Sequence, residues 1–100
     1  MRQVGERVGA IVSAIPDTVT MFGYGVYVGD EIPPPGIMGP FGEMHEFGLT
    51  NPKIVLDNGE VVWGCECWWG PEEKIRNMVG DRPVVTLSGT EYRKRRGKTS

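Results

Sequence analysis

The chain has 100 residues, of which 39% are apolar and 9% aromatic, and its formal net charge is −2 at pH 7. This length suits one domain with one hydrophobic core, and the apolar content excludes general disorder. Fifteen Gly and eight Pro favour short strands and irregular connections, so we expect a mainly β fold. No apolar run is long enough to span a bilayer, and the sequence predicts a cytoplasmic protein.

The charged residues are unevenly divided along the chain. Residues 1–91 hold all thirteen acidic residues and six of the basic ones, whereas residues 92–100 hold five basic residues and no acid. Residues 8–52 contain no Lys or Arg; the acidic residues there are Asp17, Asp30, Glu31, Glu43 and Glu46. We therefore expect an acidic surface that attracts basic partners, and a separate basic segment at the carboxyl end.

The first predicted elements are two strands. Residues 8–15 form the first and end at Pro16, which removes a backbone donor and favours a turn. Residues 18–30 form a longer second strand. Gly23 and Gly25 within it predict a bulge or a tight bend, which allows the inward and outward faces to exchange there.

A long irregular segment follows the second strand. Residues 31–50 contain three consecutive prolines from Pro33, another at Pro40 and several apolar side chains. A loop of this length is uncommon in a compact domain. We expect a packed Ω-type loop that begins in a polyproline conformation and contains one helical turn.

A β-hairpin is predicted where Asn58-Gly59 separates two apolar runs, because this dipeptide suits a two-residue type I′ turn. The expected register pairs Asp57 with Glu60, Leu56 with Val61, Val55 with Val62, and Ile54 with Trp63. Strand alternation then gives a core face of Val61, Trp63, Cys65, Cys67 and Trp69. The opposite face carries Val62, Gly64, Glu66 and Trp68.

A short helix is predicted over residues 71–80, because Pro71 suits its first position and Gly80 its end. Its apolar stripe consists of Ile75, Met78 and Val79. Residues 82–88 form the last predicted strand. Residues 1–88 thus make a single domain, and residues 89–100 are expected to form a flexible basic tail.

This order of elements, with a long irregular loop, a hairpin and a short helix before the last strand, resembles an SH3-like small barrel. The resemblance is topological and covers about residues 8–88. It implies an antiparallel barrel of about five strands. The SH3 peptide groove is not carried over, because Trp68-Trp69 follows the hairpin here, whereas the double Trp of SH3 domains precedes it. The segments GYGVYVGDE and WGCECWWGPEE are also similar to small uncharacterised phage and bacterial proteins.

The residues with reactive side chains do not form a recognisable catalytic or metal site. Cys65 and Cys67 could join His45 as zinc ligands, but chelating pairs normally have two to four intervening residues in a turn. Glu66 and the acidic body would raise the pKa of a nearby thiol, which disfavours a nucleophile. No phosphate-binding glycine loop is present. We therefore predict no metal, no cofactor and no enzymatic activity.

The main functional hypothesis is a protein-interaction domain. Tyr27 and Trp68 are predicted to face outward, where aromatic side chains can anchor a partner. Asp30 and Glu31 belong to the acidic region and would select a basic partner. The alternative interpretation of Trp68 is that the loop at residues 31–50 folds over it and forms a second small core.

Two other hypotheses come from the rest of the chain. The basic tail could bind nucleic acid through phosphate contacts, with little sequence preference; its basic residues are Arg93, Lys94, Arg95, Arg96 and Lys98. The same run could instead be only a solvated tail, or pair with the acidic surface of another copy. The third hypothesis is a structural homo-oligomer such as a small phage component.

Overall fold

The computed structural model describes residues 3–34 and 50–97, the last two of them by their backbone only. The described strands are β1 (Arg7–Ile15), β2 (Thr18–Glu31), β3 (Asn51–Leu56), β4 (Val61–Trp63), β5 (Trp68–Pro71) and β6 (Val84–Thr86). The helices are a 3₁₀ turn (Gly64–Glu66), α1 (Glu72–Val79) and α2 (Gly89–Gly97). The mainly β class is therefore confirmed.

The strands form one six-stranded sheet in the order β4-β3-β2-β1-β5, with β6 also paired to β2. β3 pairs with the second half of β2, and β6 pairs with its first half, from Val19 to Met21. The β2–β6 pairing is parallel, whereas the other strand pairs are antiparallel. Among the described residues the sheet is open, since β4 and β5 are not paired to each other.

The first hairpin confirms the predicted strands and the predicted bulge. β1 pairs with β2 from Ile15 and Thr18 onward, but the register shifts where Ala10 pairs with Gly23 and Ile11 pairs with Met21. Phe22 is the extra residue at this bulge. Strand alternation alone puts Met21 and Phe22 on opposite faces. The bulge exchanges the two faces beyond it, so that Phe22 and Tyr27, five residues apart, are both buried in the first cluster.

Both faces of the sheet are covered, which gives two apolar clusters instead of one core. The first cluster consists of Val8, Ala10, Phe22, Tyr27, Ile54, Leu56 and Val62, with Trp69 and Tyr92 packed against it. The second cluster consists of Ile11, Val19, Met21, Ile75 and Val79. α1 supplies the last two side chains, so the predicted helix and its apolar stripe are confirmed.

The second hairpin forms at the predicted place. The predicted register is wrong by one residue, and the predicted turn type is also wrong. Val55 pairs with Val61, and Ile54 pairs with Val62. The Leu56 N–H donates to the Glu60 carbonyl oxygen at 2.8 Å, and only Gly59 in the loop has a positive φ, of 90°. This is a three-residue loop with a bulge at Gly59, not a two-residue type I′ turn.

The predicted faces of the strand after this loop are wrong for Val62, Cys65 and Glu66, whereas Trp63 is buried and Trp68 exposed as predicted. A one-residue shift exchanges the two faces of a strand, and the 3₁₀ turn then interrupts the alternation. Val62 and Glu66 are buried, whereas Cys65 is exposed. Asn51 fixes the turn, because its Oδ1 accepts a hydrogen bond from the Cys65 N–H at 2.8 Å.

The basic segment forms helix α2 over Gly89–Gly97 instead of the flexible tail expected from residue 89 onward. The Glu91 N–H donates to Ser88 Oγ at 2.9 Å, and the Gly89 N–H donates to Glu60 Oε1 at 2.7 Å. These side chains satisfy the free N–H groups of the first turn. Tyr92 then packs edge-on against Phe22, with 5.4 Å between ring centroids.

Arg93 fastens α2 to the sheet through a buried ion pair. Its guanidinium donates two hydrogen bonds of 2.8 Å to the two carboxylate oxygens of Glu66 and one of 3.0 Å to the Val61 carbonyl oxygen. The Glu66 side chain has no exposed surface, and its Oε1 also accepts from the Trp63 N–H. The carboxylate hydrogen bonds raise the pKa of Arg93, so its guanidinium is positively charged at neutral pH.

We expect Gly25→Ala to lower the free energy of unfolding by about 3 kcal/mol, because a Cβ there would overlap the backbone of Val55 and Leu56 and spread β2 from β3. Gly59→Ala is the comparison, since its Cβ meets no neighbour and the cost is only that of a positive φ, about 1 kcal/mol. Urea unfolding measures both. Equal losses would contradict the close approach of the two strands.

We expect Arg93→Ala to lower the free energy of unfolding by roughly 3–5 kcal/mol, because it leaves the Glu66 charge buried and unpaired. Arg95→Ala is the matched control: Arg95 pairs with Glu91 at 3.4 Å on the exposed side of the same helix, and such pairs contribute about 0.5 kcal/mol. Urea unfolding compares the variants. Similar losses in both would show that the buried pair does not hold α2.

Candidate binding surfaces

Trp68 and Trp69 point to opposite faces of β5. Trp69 pairs with Ala10 of the first cluster, and Trp68 pairs with Ile11 of the second. Trp69 is partly buried and stacks on Tyr27, with 5.4 Å between ring centroids. Trp68 is 70% exposed, which confirms the prediction that it faces outward. The alternative in which the 31–50 loop covers Trp68 concerns residues 35–49, which lie outside the described residues.

The prediction that Tyr27 faces outward is wrong, because Tyr27 is only 7% exposed. The bulge at Phe22 and the cover on both faces of the sheet put its ring into the first cluster. Its hydroxyl donates a 2.6 Å hydrogen bond to Asp30 Oδ1. This bond and the burial raise the pKa of Tyr27. Tyr27 thus packs in the first cluster and holds Asp30 by a hydrogen bond. Its ring is not exposed for contact with a partner.

Asp30 and Glu31 are exposed at the end of β2, as the sequence predicts. Glu31 pairs with Lys53 on the neighbouring strand, with 3.3 Å between Oε1 and Nζ. Asp30 is linked through Tyr27 to the Trp69 side of β5, whereas Trp68 lies on the other side. The structure therefore does not bring the four predicted binding residues into one site.

The two thiols have different environments. Cys67 is mostly buried, and burial, followed by the charges of Glu66 and Cys65, raises its pKa to about 12. Its Sγ lies 3.4 Å from the Trp63 carbonyl oxygen. A thiol with this pKa is protonated at neutral pH and is a poor nucleophile. In the part of the chain that the structure describes, no group of three or more His, Cys, Asp or Glu could hold a metal ion.

A shallow cavity of about 440 Å³ lies where α1 meets the start of β1; its lining residues are Glu6, Arg7, Pro71, Glu72, Glu73 and Arg76. Arg7 donates to both carboxylate oxygens of Asp57, at 2.6 and 2.9 Å, and to Glu72 at 3.0 Å. Arg76 also binds Glu72. The sequence gives no signal for this network, because Arg7 and Asp57 lie 50 residues apart. Both guanidiniums in this cavity have carboxylate partners.

The basic residues of the predicted nucleic-acid site do not all lie on the same side of α2. Arg93 points inward to Glu66, so its assignment as a phosphate ligand is wrong. Lys94 and Arg95 are exposed. Lys98 and the side chain of Arg96 lie outside the described residues.

Comparison with known proteins finds no matching family model, no similar curated protein and no similar solved structure. Within residues 3–34 and 50–97, no helix is both long and apolar enough to cross a membrane. The functional argument therefore depends on the geometry of this chain.

We expect Trp68→Phe to remove most of the tryptophan fluorescence that acrylamide quenches, because Trp63 is buried and Trp69 is partly buried under Tyr27. Stern–Volmer plots of the folded wild-type and variant proteins measure the accessible fraction. Trp69→Phe is the control and keeps the quenchable signal. An unchanged accessible fraction in Trp68→Phe would contradict the exposure of this indole.

Proposed function

We propose that this chain is a non-enzymatic binding module whose main anchor for a protein partner is Trp68. The observation that carries the proposal is the 70% exposure of this side chain. A Trp side chain offers one of the largest apolar surfaces of any residue, and most of a Trp is normally buried. Covering Trp68 with a partner would remove this apolar surface from water.

The backbone that carries Trp68 is firmly held. β5 pairs with β1 from Pro71 to Trp68. Trp69, the next residue on β5, packs against the first cluster, and Ile11, the residue of β1 that pairs with Trp68, is buried in the second. A side chain on a fixed strand loses little backbone freedom when a partner binds. Trp is also among the residues that most often dominate binding energy at protein interfaces. These properties favour a preformed anchor.

The partner that we propose has basic character. Asp30 and Glu31 are exposed, and the first 91 residues carry thirteen acidic against six basic residues. Because Asp30 and Glu31 lie on the other side of β5 from Trp68, they would act by long-range attraction during encounter and not by contact beside the indole. The contact energy would come from Trp68.

We also propose that the fold is related to SH3-like small barrels. The order of the described elements, with α1 before the last strand β6, supports an SH3-like relationship. The parallel pairing of β6 with β2 distinguishes this sheet from a simple antiparallel barrel. A cytoplasmic location and a relationship to small phage or bacterial proteins are part of the same proposal.

Selection from a displayed random dodecapeptide library tests the proposed anchor. We expect the folded wild-type chain to enrich peptides whose binding to Trp68→Ala is at least tenfold weaker, because a central Trp typically contributes more than about 1.4 kcal/mol at an interface. We also expect Lys and Arg to be over-represented among them. Fluorescence anisotropy with the synthetic peptides measures the affinities.

Val85→Ala is the matched control, since Val85 is an exposed apolar residue on β6, away from β5. It should leave peptide affinity unchanged. Urea unfolding must show that Trp68→Ala keeps the wild-type stability, as expected for an exposed side chain. No enrichment, or peptides that bind Trp68→Ala as well as wild type, would overturn the proposal; enrichment without basic residues would remove only the basic character of the partner.

A further inference from the structure

Helix α2 has an inward side and an outward side. Gly89 is buried, Tyr92 packs on Phe22, and Arg93 binds Glu66. Lys94 and Arg95 lie on the outward side and are exposed. Docking of the helix therefore turns Arg93 inward and leaves Lys94 and Arg95 as positive charges on one exposed face of α2.

Both outward cations are exposed to solvent. Arg95 Nε lies 3.4 Å from Glu91 Oε1, and both side chains are largely exposed. An exposed pair of this kind is weak and is screened by salt, so a phosphate can replace the carboxylate. Glu91 is the only acidic residue of α2.

We propose that the outward side of α2 binds the phosphate backbone of nucleic acid, independently of the Trp68 surface and of its protein partner. Charge complementarity selects this ligand, since Lys94 and Arg95 are fixed on one helix and a polyphosphate offers closely spaced charges. The acidic remainder of the surface repels the same ligand. The contact is therefore confined to α2, weak, and without sequence preference.

The acidic surface of a second copy is a poorer ligand for α2. Several of its described carboxylates already have cationic or N–H partners within the chain. Asp57 and Glu72 bind Arg7, Glu31 binds Lys53, and Glu60 caps α2 itself. A second copy would have to exchange these pairs for new ones, whereas the backbone of a nucleic acid gives up only its counterions.

Binding of the full chain to 20-nucleotide single-stranded and duplex DNA of mixed sequence, followed by fluorescence anisotropy between 50 and 200 mM salt, tests the proposal. We expect affinity to fall with salt for both probes. On the duplex, Lys94→Gln combined with Arg95→Gln should reduce the slope of log affinity against log salt by about 1.8, since each phosphate contact contributes about 0.9. The loss of affinity over this salt interval then becomes roughly tenfold smaller.

The controls separate this surface from the other features of the molecule. Lys74→Gln removes an exposed cation from α1 and should leave the slope unchanged. The charge-conserving pair Lys94→Arg and Arg95→Lys should keep the wild-type slope, which excludes an indirect effect of altered folding. Trp68→Ala should bind DNA like wild type, so that failure of the protein-binding proposal remains distinguishable.

Absence of binding at 50 mM salt would overturn the proposal, as would an unchanged slope in the Lys94→Gln and Arg95→Gln variant. Sedimentation of the protein alone tests the second-copy interpretation. A dimer that dissociates with salt and is lost in the same variant would assign the outward side of α2 to self-association and would also overturn nucleic-acid binding.

Discussion

Glu66 carries a charge into the interior of the molecule, where a carboxylate is stable only with a close positive partner and hydrogen bonds. Arg93 supplies the charge, and the Trp63 N–H supplies a further hydrogen bond. The 3₁₀ turn that ends with Glu66 and the helix that carries Arg93 are consequently fixed relative to each other. The same contact sets the orientation of both proposed surfaces, since β5 follows Glu66 and the outward cations follow Arg93.

Elements defined by local signals could be predicted from the sequence. The turn at Pro16, the glycines of β2, and the Pro71 and Gly80 ends of α1 each specify a backbone conformation through nearby residues. The second hairpin shows the limit of this reasoning. Asn58-Gly59 suits both a two-residue and a three-residue loop, and pairing of Ile54 with Val62 in the first cluster favours the latter. The one-residue difference in the loop and the 3₁₀ turn after it together bury Val62 and Glu66 and expose Cys65, against simple alternation.

The candidate sites could be predicted in part. Trp68 could be placed outside because Glu66 and Trp68 share a strand face in the simple alternation, although Glu66 is in fact buried. Tyr27 could not be placed, since its burial depends on cover from Trp69 of β5, which is distant in sequence. A signal for α2 was present: Ser88 and Glu91 have the spacing of a capping box. The run of positive charge after it suggested a solvated tail, and Arg93 has no local feature that distinguishes it from Arg95.

The pairing of Glu66 with Arg93 also has a consequence for the order in which the elements dock during folding. Glu66 precedes Arg93 by 27 residues, so a chain in which α2 has not yet docked contains an acid without its counter-charge. Until α2 docks, the chain cannot complete the first apolar cluster around an unpaired Glu66 carboxylate. Closure of this half of the domain therefore depends on docking of α2, whereas β1, β2 and α1 contain neither member of the pair.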